Sequence, residues 1–367
     1  MTFSDYLSKQ PVEKIFNNLN QFTEADVQNI LKKDRISTFD LPILISPSAS
    51  KFLKTMAQKA EKLTRQRFGH TMQIYVPLYL SNFCTNKCLY CGFNTELKYQ
   101  RTILSEEEIV AQGRLLSEKG FKHLLLLTGE APKKAGVKYI ENALRLLKPY
   151  FSYIGLEIHP IETADYQTLI AAGADALTIY QETYHQETYQ KMHLQGKKAD
   201  YNLRLNTPDQ AGKANFYQIS IGALLGLYDW RFEAINLMIH LNYLKKNYWQ
   251  VNYGLSFPRI QKMAGDFEIN HLVSDTEFVQ MMLAFRLCFP ELSLNLSTRE
   301  PSHLRDALVN LGITSISAES KTSPLGYLEK DDLEQFATSD NRSLEEIKTM
   351  LAKANLEPVL KDWDDFH

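Results

Sequence analysis

Cysteine is scarce in this chain, with four among 367 residues, and that scarcity excludes a secreted disulfide framework. Long apolar runs are missing as well: none reaches the roughly 18 residues that a spanning helix needs. Met1-Thr-Phe-Ser-Asp opens the sequence without the positive and apolar regions of a leader, so no membrane is expected and the expected compartment is the cytoplasm. Charge of one sign is lacking too. The formal net charge is −2, with 41 Lys and Arg against 43 Asp and Glu, and nucleic acid is not an expected partner without a basic field. No Pro-rich linker, low-complexity tract or internal repeat marks off a second folding unit. What is present is ordinary globular composition, 44% hydrophobic and 23% charged, sufficient for a large core.

Residues 1–71 carry apolar positions at helical spacing through VEKIFNNL, EADVQNILKK and SASKFLKTMAQKAEKLTRQRFG, an N-terminal helical extension. From residue 72 the pattern changes to short apolar or alternating runs separated by amphipathic segments. Eight strands are expected: MQIYVPLYL, KHLLLLTG, YIGLEIHP, DALTIYQE, QISIGALLG, QVNYGLSF, LSLNLSTRE and TSISAES. Strand-helix alternation over residues 72–330 points to an α/β fold, a (β/α)8 barrel of the TIM type. Between the first two strands, Ser105 with Glu108 three residues on reads as a capping box, and Gly120 as the helix terminator. Residues 331–367 read as a C-terminal tail or lid, with DNRSLEEIKTMLAKAN as one helix.

Three of the four cysteines fall within LSNFCTNKCLYCGFN, directly after the first strand and so at the mouth of the barrel, where active sites sit. Cys84, Cys88 and Cys91 have the spacing C-x3-C-x2-C. Structural zinc asks for a fourth protein ligand, and Cys288 stands alone before Phe289-Pro290, best read as core. Three thiolates on a [4Fe–4S] cube leave one iron without a protein ligand, and that position can take a small molecule.

This motif resembles that of the radical S-adenosylmethionine (SAM) superfamily. The resemblance implies a [4Fe–4S] cluster on Cys84, Cys88 and Cys91, with SAM on the open iron as a source of a carbon radical. It implies further SAM contacts. Tyr90 takes the place of the aromatic near the adenine; Thr128, Gly129 and Glu130 stand where Gly-Gly-Glu meets the ammonium group, with threonine replacing the first glycine. Glu157 and Glu182 end strands toward the barrel mouth, Arg204 is the candidate for the SAM carboxylate, and Gly222, in IGALLGL, is a candidate for close approach to the adenine.

Along the rest of the chain, LTRQRFG, LLTGE, GLEIHP, YQETY, GLYDWRFE, GLSFPRI, LSTRE and the closing KDWD are similar to the aromatic amino acid lyases of that superfamily. This likeness implies cleavage of the Cα–Cβ bond of L-tyrosine to 4-cresol and dehydroglycine, for a thiazole synthase of thiamine biosynthesis. A reductase or flavodoxin-type protein is the implied electron donor. A free amino acid needs its carboxylate fixed, and an arginine provides a planar, bidentate clamp. Arg299 in LSTRE is the expected clamp, with Ser297 on the same strand face and Ser317 on the neighbouring strand; Arg259 is the understudy, and an ion pair with Glu300 is the structural alternative for Arg299. Tryptophan lyase and the tyrosine lyase of hydrogenase maturation, which adds a cluster on C-terminal cysteines, remain alternatives. So does an iron–sulfur or zinc binding module without catalysis.

Overall fold

The computed structural model describes residues 1–261, 267–328 and 333–360. Eight parallel strands form its centre: β1 (Thr71–Ser81), β2 (His123–Thr128), β3 (Tyr153–Glu157), β4 (Ala176–Glu182), β5 (Gln218–Ala223), β6 (Asn252–Ser256), β7 (Ser293–Leu296) and β8 (Ser315–Ser317). Each pairs with the next, and β8 returns to β1 through Gln73 and Ser315, so the sheet closes into a barrel. These are the eight runs expected from the sequence.

Alternation along each strand explains the two faces. On β1 the even positions Met72, Ile74, Val76 and Leu78 are fully buried in the layer between sheet and helices, as are Leu126 on β2, Ile154 and Leu156 on β3, and Leu177 on β4. The opposite face points into the barrel. There Tyr75, Tyr79, Glu157, Tyr180, Ser256, Ser297 and Ser317 line one cavity, and Gln73, Thr178, Gln218, Ser220 and Asn295 a second one below it. Bulky branched residues ordinarily fill such a barrel; here tyrosines and polar side chains share the inside with Leu125, Leu127 and Leu224.

Helices cover the outside. Glu106–Glu118 begins at the expected capping box, with the Ser105 hydroxyl accepting from Glu108 N and the Glu108 carboxylate accepting from Ser105 N at 2.9 Å. Gly120 follows its end at φ +104°. The N-terminal extension packs against Trp230–Asn247, with Phe3 stacked on His240 at 3.6 Å between ring centroids. Near the C-terminus, Leu344–Lys353 is the expected helix, started by Ser343. Sequence reading missed the short strand beyond it: β9 (Glu357–Val359) pairs in parallel with the start of β1. The tail is thus tied to the sheet, with Ile347 and Leu351 fully buried. The expected division at 330/331 and the closing KDWD lie outside the described residues. Among the described residues no helix is long and apolar enough to cross a membrane.

Candidate active site

The cysteine loop leaves the top of β1 and is held from three sides. Cys88 lies in a two-rung antiparallel ladder, Lys87–Cys88 against His193–Gln195. Gly92 N donates to Gln335 O at 2.9 Å, which brings the C-terminal segment across the mouth. Gly129, just past β2, lies so close beneath the loop that a Cβ there would stand 2.3 Å from Phe83 O, and Gly129 N donates to Ser81 O at 2.8 Å. A side chain at this position would push the loop away.

Burial pushes all three thiols up, Cys91 to about 11, so as plain side chains they keep their protons near neutrality. Their surroundings nevertheless favour negative sulfur. Backbone N–H groups of Asn86 and Glu130 face Cys84, that of Phe93 faces Cys91, and the Lys198 ammonium acts on Cys88. The Gln335 amide stands 3.9 Å from Cys91 Sγ. Among the described residues no three His, Cys, Asp or Glu side chains converge on a single-ion point; a cube asks something different, one thiolate for each of three irons. A donor set of three thiols with N–H groups and a cation aimed at them fits that group, because metal coordination removes the thiol protons outright.

Tyr90 is fastened beside the cysteines. His193 Nδ1 donates to Tyr189 O at 2.7 Å, so its Nε2 accepts from the Tyr90 hydroxyl, also at 2.7 Å. Burial and then Lys198 lower the His193 pKa to about 3, consistent with a neutral ring.

Next to the loop lies a buried cluster of two carboxylates and two cations. Arg204 Nη1 meets Glu130 Oε1 at 2.6 Å, and its Nε donates to Tyr180 O at 2.6 Å. Lys198 Nζ meets Glu182 Oε1 at 2.6 Å, and Asn86 Nδ2 donates to Glu130 Oε2 at 2.7 Å. Burial works against charge on both acids, but Arg204 and Lys198 outweigh it and hold both carboxyls below their ordinary value. Glu182 also has φ +70°, uncommon outside glycine, a strain of the kind that collects at functional sites. Neutral overall and alternating in sign, this cluster matches the head group of a zwitterionic amino acid. Sequence reading found Glu130, Glu182 and Arg204 but missed Lys198, Asn86 and His193, for which the sequence holds no signal, since only the fold brings them there.

On the opposite wall, at the ends of β7 and β8, Arg299 is treated differently. Its guanidinium carbon stacks 3.3 Å from the Phe336 ring centroid, and it forms no ion pair among the described residues. Arg299 N donates to the Ser297 hydroxyl at 3.4 Å, and Thr298 N to the Ser317 hydroxyl at 3.1 Å. Arg299, Ser297, Ser317 and Glu157 share one cavity with Tyr90 and Cys91. Glu300 does not pair with Arg299. It accepts from Arg259 Nε at 2.9 Å, and Arg259 Nη1 also meets Asp275 at 2.7 Å, so the understudy is fully engaged elsewhere.

One expected contact looks different in the structure. Gly222 is not open to the cavity: a Cβ there would stand 2.0 Å from Ser256 O and 2.5 Å from the Tyr180 ring, so it is glycine because β6 and Tyr180 press on it. Leu224 is the residue of that segment that reaches the cavity. Thr128 ends β2 with its buried hydroxyl unpartnered. Cys288 is buried among apolar neighbours, as expected.

A parallel barrel carrying a three-cysteine loop at its mouth, beside a charge cluster suited to an amino-acid head group, defines the class of radical SAM enzymes. Residues 78–239 match the Radical SAM superfamily, and residues 256–357 the Biotin and Thiamin Synthesis associated domain. The chain is 42% identical to the 2-iminoacetate synthase of Escherichia coli over 100% of its own length and 97% of that protein. Among solved structures, the [FeFe]-hydrogenase maturase HydG superimposes with a TM-score of 0.92 at 29% identity, over 97% of this chain and 81% of that chain. The HydG of Carboxydothermus hydrogenoformans superimposes with a TM-score of 0.88 at 32% identity, over 95% and 83% of the two chains. This chain belongs to the 2-iminoacetate synthase family.

Proposed function

We propose that the protein cleaves the Cα–Cβ bond of L-tyrosine, releasing 2-iminoacetate and 4-cresol. The observation that carries this reading is Arg299, a half-buried guanidinium that meets no carboxylate among the described residues and faces the cavity that the cysteine loop overlooks. It is supported by the 42% identity to a protein named for making 2-iminoacetate.

Cys84, Cys88 and Cys91 would hold the [4Fe–4S] cluster. Bound there with SAM, it supplies one-electron cleavage of the sulfonium and a carbon radical that takes a hydrogen atom from substrate. The rest is done by the chain. Glu130 and Arg204 exchange part of their contact with each other for the SAM ammonium and carboxylate, so the incoming charges find partners without a net change in buried charge. Tyr90 closes the cavity on the cysteine side, and Phe336 backs the Arg299 guanidinium. Arg299 takes the tyrosine carboxylate in two parallel hydrogen bonds, and Ser297 and Ser317 supply hydroxyls beside it. Tyr75 and Tyr180 form a floor, with Ser317 and Ser256 beside them in the same cavity lining. This enclosure keeps water away from reactive species.

An imine of this kind hydrolyses in water, so the reading includes delivery to a thiazole synthase, with a reductase or flavodoxin-type protein as electron source. Anaerobic incubation of the reconstituted protein with reductant, SAM and tyrosine tests it. Cresol, 5′-deoxyadenosine and glyoxylate from hydrolysed 2-iminoacetate are the expected products. Carbon monoxide and cyanide in their place favour the maturase activity, and turnover of tryptophan alone favours tryptophan lyase. SAM that survives intact leaves only a binding module.

A further inference from the structure

Arg299 and Glu157 hold opposite positions. Arg299 lies just past β7 and Glu157 ends β3, four strands apart in a closed ring of eight, so they face one another across the mouth. Both line the same cavity, and the Arg299 charge acts on Glu157 without reaching it as an ion pair. Among the described residues the Glu157 carboxylate accepts no hydrogen bond and meets no cation at ion-pair distance, although Arg299, Lys198, Arg204 and Glu182 all bear on it. An unpaired carboxylate set into a barrel cavity is costly unless a ligand completes it.

An eight-stranded barrel is just wide enough for one small ligand between opposite walls. Tyr75 and Tyr180 block the way down the axis, and Leu125 and Leu127, next to Glu157, offer an apolar flank. A molecule held by its carboxylate at Arg299 therefore lies across the barrel, with its far end at the β3 wall. We infer that Glu157 receives the phenol hydroxyl of the substrate and so sets the preference for a hydroxylated aromatic ring over a bare one. This inference rests on the tyrosine reading above. Burial, the largest influence, pushes the Glu157 carboxyl up to about 7, and a phenol donor stabilises its ionised form. A site built to bond a substrate hydroxyl discriminates strongly against the analogue without it, because the carboxylate is then left bare.

The test is anaerobic equilibrium binding of tyrosine and phenylalanine to the reconstituted, SAM-loaded protein, for wild type, Glu157→Gln and Glu157→Met. Cresol release and uncoupled SAM cleavage are measured alongside. Glu157→Met keeps the length but removes the acceptor. Its dissociation constant for tyrosine should rise about 10- to 100-fold, while phenylalanine binds as well as before or better. Glu157→Gln, which keeps an acceptor oxygen without the charge, should fall between wild type and Glu157→Met and shows that the fold survives. If the wild type releases cresol and Glu157→Met keeps full preference for tyrosine, this inference is wrong and the parent reading stands. If the wild type neither binds tyrosine nor releases cresol, the parent reading fails and takes this inference with it.

Discussion

Two arginines serve the mouth of this barrel in opposite states. Arg204 is buried and bonded to Glu130 and the Tyr180 carbonyl, with Glu182 at 3.7 Å. Arg299 lies against one aromatic ring and meets no acid among the described residues. The first belongs to a neutral network that exists before any ligand arrives; the second is a charge waiting for one. The difference separates two tasks that sequence alone makes look alike. Removing Arg204 strands carboxylates in a poorly solvated place, which harms the fold, whereas removing Arg299 breaks no ion pair among the described residues and bears mainly on what binds to it.

The largest effect expected breaks the comparison at its root. Cys88→Ala should abolish SAM cleavage and lower the iron bound after reconstitution below the four irons of a single cube, as read by iron analysis. Full cleavage by that variant would end the radical reading for both walls. Next come the arginines themselves. Arg299→Ala should keep the cluster, the melting transition and uncoupled SAM cleavage, while cresol formation drops by two orders of magnitude or more, on the scale of about 3 kcal/mol of charge-assisted bonding. Arg204→Ala should instead lose roughly 3–5 kcal/mol of stability, visible in chemical denaturation, because Glu130 and Glu182 keep only Lys198 and Asn86. Equal destabilisation by the two substitutions would erase the distinction.

A third buried acid sharpens the contrast from outside the site. Glu233, fully buried on the helix Trp230–Asn247, meets no cation among the described residues and accepts from Tyr184 N at 2.8 Å. Burial pushes its carboxyl up to about 8, against the pull of its hydrogen bonds to Thr183 and Tyr184. In the unfolded chain this group loses its proton near pH 4.3, so between roughly pH 4 and 8 the folded protein binds more protons. Its contribution to stability therefore falls as pH rises through that window and levels off above it. Glu233→Gln should flatten the fall, measured as denaturation midpoints from pH 5 to 8.5. Smallest of all is Ser105→Ala, which removes a helix cap far from either arginine and should cost about 1 kcal/mol with no change in cresol formed per folded protein.

The strand ends were legible enough to put Ser297 on the same face as Arg299, Ser317 beside them and Glu157 toward the mouth, and the cysteine spacing marked that mouth. Pairing was not legible. Arg204 and Glu130 are 74 residues apart, Tyr79 and Gln335 256, and nothing in the sequence shows that Arg259, the understudy, is held by Glu300 and Asp275. Gly222 read as an opening for a ligand, yet its missing side chain makes room for Tyr180 and the Ser256 carbonyl. The strand β9 was missed because three residues carry too little pattern to stand out.

What the sequence determined by itself was local: which runs form strands, which face of each is polar, where helices start, and that three thiols stand together after β1. These features come from spacing along the chain, which sterics and side-chain chemistry translate into structure a few residues at a time. Which charges are spent and which are free was decided only by tertiary structure. Ion pairing and desolvation depend on distance through space, and a closed barrel brings together at its mouth the ends of strands that lie far apart in the chain.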